Sequence, residues 1–170
     1  QGTEMCRDGG WNYTSAAERY GDLSSTRFVL DGLLSASNVW GPAGDSIAAA
    51  LPFLESAQRA DGGFAYRACA ETYQDLPNRS TSAMTSAGLW AYRIAGLPTG
   101  DARVQAALSW LESNYAFETH QAESFPKSYY YYLWAAAKAL ELMVDRADPN
   151  DVSGDDVGGT LEPADWGYPE

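Results

Sequence analysis

Four acidic residues, Asp22, Glu71, Asp75 and Glu123, stand in polar stretches between apolar runs. Paired carboxylates about 5–9.5 Å apart are what the hydrolysis of a glycan requires. Only the fold could bring these four together, and a solvated loop face is the commoner explanation for such acids. The run Tyr129 to Tyr132 covers every side of a helix, so at least one of its rings should face a cavity while others pack into the core. Electron-rich rings are also what a carbocation pathway would need. His120 is the single histidine of the chain and reads as a surface loop residue rather than a metal ligand. Asp148, Asn150, Asp151, Asp155 and Asp156 offer oxygen ligands of the kind calcium takes. Their spacing is not that of an EF-hand, and an acidic disordered linker explains them more simply. Asn12-Tyr-Thr14 and Asn78-Arg-Ser80 fit the N-glycosylation pattern, which matters only in a secreted chain from a glycosylating source.

Cys6 and Cys69 are the only cysteines, and each flanks a Gly-Gly loop. They either close a disulfide, contributing about 3–5 kcal/mol in the chain-entropy treatment, or remain two buried free thiols. No metal site and no cofactor is expected.

The elements that must position these residues are organised around two loops. Gln58-Arg-Ala-Asp61-Gly62-Gly63-Phe64 has a partial copy at Asp8-Gly9-Gly10-Trp11. A Gly-Gly pair behind an acid can take backbone angles closed to other residues, so each copy predicts a tight turn with an aromatic anchor. Each is followed by a polar loop, a Ser/Thr cap and an apolar run. Ser24-Ser25 is expected to cap a helix to about Asn38, buried on several sides, with Phe28, Val29, Leu30, Leu33 and Leu34. Asp45-Ser46 opens an amphipathic helix to Gln58 that Pro52 should kink. Ser80-Thr81 caps a third helix whose small residues Ala83, Ala87, Gly88 and Ala91 permit close packing. Gly96-Leu-Pro-Thr-Gly100 ends it. A fourth, from Asp101 to about Tyr115, is amphipathic, and a fifth runs from Ser128 to Met143. Ala50-Leu-Pro-Phe-Leu-Glu-Ser56 and Ala107-Leu-Ser-Trp-Leu-Glu-Ser113 agree at five of seven positions, 57 residues apart. That self-similarity predicts an all-α stack of helical hairpins.

The bulk numbers narrow the partners. With a net charge of −12 over 170 residues and no basic stripe, the chain is unsuited to nucleic acid or an anionic membrane surface. No apolar run approaches the roughly 20 residues of a membrane-crossing helix. The expectation is a soluble protein, one whose start at Gln1 is compatible with export after removal of a leader. Residues 1–144 read as the helical repeats, and 145–170 as an acidic loop or the start of a further repeat.

The two Asp-Gly-Gly-aromatic loops, each followed by a capped apolar helix and then by Trp/Phe-Leu, resemble the repeats of the terpenoid cyclase and protein prenyltransferase superfamily, including squalene-hopene cyclases. Met84-Thr-Ser-Ala-Gly-Leu89 and Ser128-Tyr-Tyr-Tyr-Tyr-Leu133 look more like a bacterial group of prenyltransferase and squalene oxidase repeat proteins. The resemblance spans roughly residues 5 to 143. It implies an α/α toroid or partial toroid, in which inner helices surround a cavity and outer helices enclose them, and self-association could complete the ring. It also implies that residues around Ser25, Thr81 to Thr85 and Tyr129 to Tyr130 face the mouth of that cavity, where Tyr66 and Trp90 are expected to add to the wall, with Asp8, Gly9, Gly10, Trp11, Gln58, Asp61, Gly62, Gly63 and Phe64 as the repeat framework.

The family's chemistry does not come across with the framework. The Asp-x-Asp-Asp string of class II cyclases is lacking, because Asp148-Pro-Asn-Asp151 and Ser153-Gly-Asp-Asp156 each miss an acid. Neither cysteine follows an Asp-x pair, as a prenyltransferase zinc site would need, and no Cys-Gly-Glu-Gln thioester string is present. The sequence therefore points to a module binding a hydrophobic small molecule or a protein partner in an aromatic-lined concavity. The alternative is an enzyme acting on an isoprenoid or glycan there, with a loop acid among Asp61, Glu71, Asp75 and Glu123 as proton donor.

Overall fold

A computed structural model describes residues 9–13, 21–68, 72–73, 76–114 and 129–143, and every structural statement below is made of these. They are predominantly helical. The helices are α1 (Leu23–Trp40), α2 (Gly44–Ala48), α3 (Leu51–Ala57), α4 (Ser82–Ile94), α5 (Ala102–Asn114) and α6 (Tyr129–Glu141). A two-residue antiparallel ladder, β1 (Thr72–Tyr73) with β2 (Leu76–Pro77), interrupts the stretch expected to be pure loop. Cys6, Asp8, Cys69, Glu71, Asp75, Tyr115, His120, Glu123, Ser128 and the acidic stretch from Asp145 lie outside the described residues, and with them the disulfide, calcium and tail readings.

Helix α4 is the centre. Every residue of it except Arg93 is buried, and it packs against α6, α1, α5 and α3. Thr81 caps it as expected, its side chain accepting from the Met84 N–H. Its other end is a Schellman motif: Gly96 has φ +83°, its N–H donates to the Arg93 carbonyl, and Leu97 N–H donates to the Tyr92 carbonyl. Gly88 gives room to the ring of Phe64 rather than to a neighbouring helix, for a Cβ there would lie 2.4 Å from that ring.

Three expectations need correction. The cap of α1 is Asp22, not Ser24-Ser25; the Asp22 carboxylate accepts from Ser25 N–H at 2.8 Å and from the hydroxyls of Ser24 and Ser25. A carboxylate with three donors outcompetes a hydroxyl for the cap. Second, α1 is buried only over its N-terminal half, at Leu23, Thr26, Arg27 and Leu30, while Leu34 and Val39 are exposed. It leans mainly on α4 and α2, and touches α6 through Arg27 and Phe28. Third, Pro52 does not kink a long helix. It stands in the first turn of α3, after a break at Ala49-Ala50, where its missing N–H costs nothing.

The two Gly-Gly loops are built alike. Gly9 and Gly62 have φ of +88° and +90°, and a Cβ on either would strike a carbonyl oxygen, of Ala49 at 2.0 Å or of Ala106 at 2.5 Å. Gly10 lies against the Phe53 ring, and Gly63 against Trp110 and Ser80. Ala49 and Phe53 stand 57 residues before Ala106 and Trp110, the offset of the repeated heptapeptide. The following aromatic then ties the loop to the next capped helix, α1 or α4. The Trp11 N–H donates to Thr26 Oγ1 at 2.9 Å and the Phe64 N–H to Thr85 Oγ1 at 3.0 Å. In return the cap residues Asp22 and Thr81 donate their N–H groups to the carbonyls of Trp11 and Phe64. In the second loop Asp61 accepts from Gly63 N–H, Ser80 Oγ and Trp110 Nε1. Gln58 donates to the carbonyls of Gly62 and Arg103 and accepts from the Tyr92 hydroxyl. Asn78, in one of the glycosylation-pattern strings, is buried with its amide committed to both backbone groups of Arg67.

At the start of α5, Asp101 accepts from Arg103 through its backbone N–H and its guanidinium, at 2.7–2.9 Å. The guanidinium bond foremost, helped by the backbone N–H groups of Arg103 and Val104, lowers the Asp101 pKa from 3.8 to about 2. A carboxyl whose folded-state pKa lies below its unfolded one adds stability that is full above the unfolded value and lost as pH falls toward the folded one. Because Asp101 is 19% exposed, the shift is discounted for solvent screening to about 1 kcal/mol. Asp101→Asn keeps a good capping side chain and removes the charge. Urea unfolding should show it about 1 kcal/mol less stable than the wild type at pH 7, with the difference shrinking between pH 4 and pH 2.

Candidate ligand-binding site

Where the N-terminal half of α1 and the C-terminal half of α4 meet α6, the helices enclose a positive charge. Arg27 lies one residue after Thr26, whose hydroxyl is fixed on Trp11, so the loop-to-helix tie sets the rotation of α1 and turns Arg27 inward. Its side chain is 0% exposed. The guanidinium carbon lies 3.4 Å from the ring centroid of Phe28, 4.4 Å from Trp134, 4.5 Å from Trp90 and 5.6 Å from Tyr131. The rings also pack on each other: Trp90 meets Trp134 edge-on at 5.0 Å, and Phe28 stacks on Trp134 at 5.6 Å. One residue from α4, two from α6 and two from α1 thus make a box.

Several polar atoms in this box, and one beside it on α4, are not paired. Arg27 Nε, Nη1 and Nη2, Tyr131 Oη and Ser86 Oγ are all buried with no hydrogen-bond partner among the described residues. Burial raises the Tyr131 pKa above the ordinary tyrosine value, against the pull of the Arg27 charge beside it. The two groups interact electrostatically, yet neither makes a hydrogen bond of acceptable geometry with the other. Ser86 stands one helical turn before Trp90, on the same face of α4. Asp31, one helical turn after Arg27 on α1, does not bond its guanidinium, and Asp22 spends its carboxylate on the cap. Phe28 and Trp134 are 48% and 39% exposed, so the charge lies one layer of side chains below the surface.

Of the residues expected at a cavity, Trp90 is in the box. Tyr129 and Tyr130 pack edge-on against each other at 5.6 Å, with Tyr130 79% exposed. Thr81 and Thr85 are scaffold, one capping α4 and the other holding Phe64. Tyr66 is half-buried against the core and accepts the Leu23 N–H through its carbonyl. The tyrosine run does divide between core and periphery, with Tyr132 fully buried. Asp22 and Asp61 are structural acceptors. Sequence reasoning missed Arg27, Phe28 and Trp134 as site residues. The available signal was a charge at the inner face of an apolar helix, Ser25-Thr-Arg-Phe-Val-Leu30.

Among the described residues no three of His, Cys, Asp and Glu come close enough to hold a metal ion, and no helix is long and apolar enough to cross a membrane. Comparison of the chain with protein-family models, with curated proteins and with solved structures gives no match.

Proposed function

We propose that this protein is a binding module that takes an apolar small molecule against the aromatic rings joining α1, α4 and α6. The observation that carries this reading is the incomplete cover of the ring cluster. Phe28 and Trp134 contribute large apolar surface at the protein's exterior while resting on the buried Trp90 and Arg27. Large aromatic side chains with one face packed and one face wet are the usual anchors of a ligand. The like construction of the two Gly-Gly loops supports an arrangement of hairpins around a common centre, as in the α/α toroid of prenyltransferase and squalene-cyclase repeats, with α1, α4 and α6 as inner helices.

An enzyme guiding a carbocation fits less well, because the rings that would stabilise the cation already face the Arg27 guanidinium. A second positive charge there meets repulsion in a medium of low dielectric.

Trp90 and Trp134 make the site self-reporting. Titration with methyl dodecanoate, a neutral apolar probe, should change tryptophan emission saturably. Trp134→Ala should weaken binding about tenfold or more, as loss of an aromatic anchor does. Absence of a saturable change in the wild type would refute the reading.

A further inference from the structure

Resting on that reading, we infer that the ligand carries a carboxylate, which the Arg27 guanidinium receives in the aromatic box. A guanidinium presents five N–H donors, and removing them from water without partners is costly. Four rings around the charge compensate part of this through cation–π attraction. They offer the N–H groups nothing to bond. The unsatisfied donors of Arg27 are joined by the unsatisfied hydroxyl of Tyr131, and that of Ser86 stands one helical turn before Trp90. Everything polar and unpaired here is able to donate.

The complement of such a site is an acceptor with negative charge and a planar fork. A carboxylate accepts two parallel N–H bonds from guanidinium and has lone pairs left for a hydroxyl. The charge count favours it over a phosphate. Among the described residues Arg27 is the one cation in contact with these rings, so a monoanion balances the Arg27 charge and a dianion leaves excess negative charge buried in a chain of net −12. The rings of Phe28 and Trp134 then meet the apolar body of the ligand. The class is an amphiphilic carboxylic acid.

The test compares dodecanoate with methyl dodecanoate on the intact chain at pH 7, by calorimetry and tryptophan emission. The acid should bind at least about tenfold more tightly than the ester, the ordinary margin for a charge-assisted pair formed out of water. Arg27→Met, which fills similar volume without charge, should abolish that preference, so that acid and ester bind alike. Thermal unfolding monitored by circular dichroism establishes that the variant is folded, and the wild-type comparison stands without it. Equal affinities for acid and ester in the wild type would overturn the carboxylate proposal and leave the apolar binding module intact. Failure of both probes to bind removes both proposals.

Discussion

Replacing Gly62 with alanine is expected to lower stability by about 2–5 kcal/mol, combining about 1–2 for the left-handed backbone with about 1–3 for forced overpacking. Both contributions have a visible cause. The φ of Gly62 is +90°, and the added Cβ would stand 2.5 Å from the Ala106 carbonyl oxygen and 3.0 Å from its carbon. The obstacle is helix backbone, in the middle of α5, which cannot rotate aside as a side chain would. Gly96 supplies the control, having φ +83° with nothing within 4 Å of its would-be Cβ. Gly96→Ala should cost only the backbone part, about 1 kcal/mol after the loss of unfolded-state freedom is set against the strain. Urea unfolding of both variants separates the two contributions. Equal losses would mean that the Gly62 loop does not sit on α5 as described.

The comparison also bears on how the loop does its work. Asp61 can reach Gly63 N–H, Ser80 Oγ and Trp110 Nε1 together only because the turn at Gly62 brings the backbone down onto α5. The Gln58 amide reaches the Arg103 carbonyl across the same junction. One glycine therefore holds the connection between α3, α5 and the cap of α4, and its loss should reach the Phe64 anchor and, through α4, Trp90.

The framework was legible because it repeats. Asp-Gly-Gly-aromatic and the 57-residue echo of Ala50 to Ser56 are patterns of residue type, and the turns, the Thr81 cap and the Gly96 stop follow from conformational rules local to a few residues. Pro52 was misread because proline is a flaw inside a helix and an asset in its first turn. The sequence does not say which side of Ala49-Ala50 a helix boundary falls. The Asp22 cap was obscured by two serines whose hydroxyls turn out to serve that carboxylate. The box around Arg27 was the least legible feature. An arginine in an apolar run ordinarily reaches back to water along its stem. Only the rotation of α1, fixed by the Thr26 bond to Trp11, and the arrival of α6 more than a hundred residues later close the rings over it. No local rule contains that information.

Phe64→Ala should cost about 3–5 kcal/mol, the range for emptying a large aromatic site in a packed core. The backbone hydrogen bonds of Phe64 to Thr85 and Thr81 do not depend on the ring, so the loss is one of packing. The ring is fully buried, meets Tyr92 edge-on at 5.2 Å, and fills the notch left by Gly88. That last contact makes a sharper prediction than the single variant. In the wild type, Gly88→Ala gains about 1 kcal/mol of helix propensity and loses about 1–3 to the collision with the ring, so its net effect is neutral to destabilising. With alanine at position 64 the collision is gone, and the new methyl fills part of the cavity. In that background Gly88→Ala should stabilise by about 1 kcal/mol or more. The sign of one substitution thus reverses with the residue opposite, a coupling that chemical unfolding of the four proteins in the double-mutant cycle measures directly. If Gly88→Ala has the same effect in both backgrounds, the notch does not hold the ring, and the link from the Gly-Gly loop through Phe64 to the helix that carries Trp90 is broken at that point.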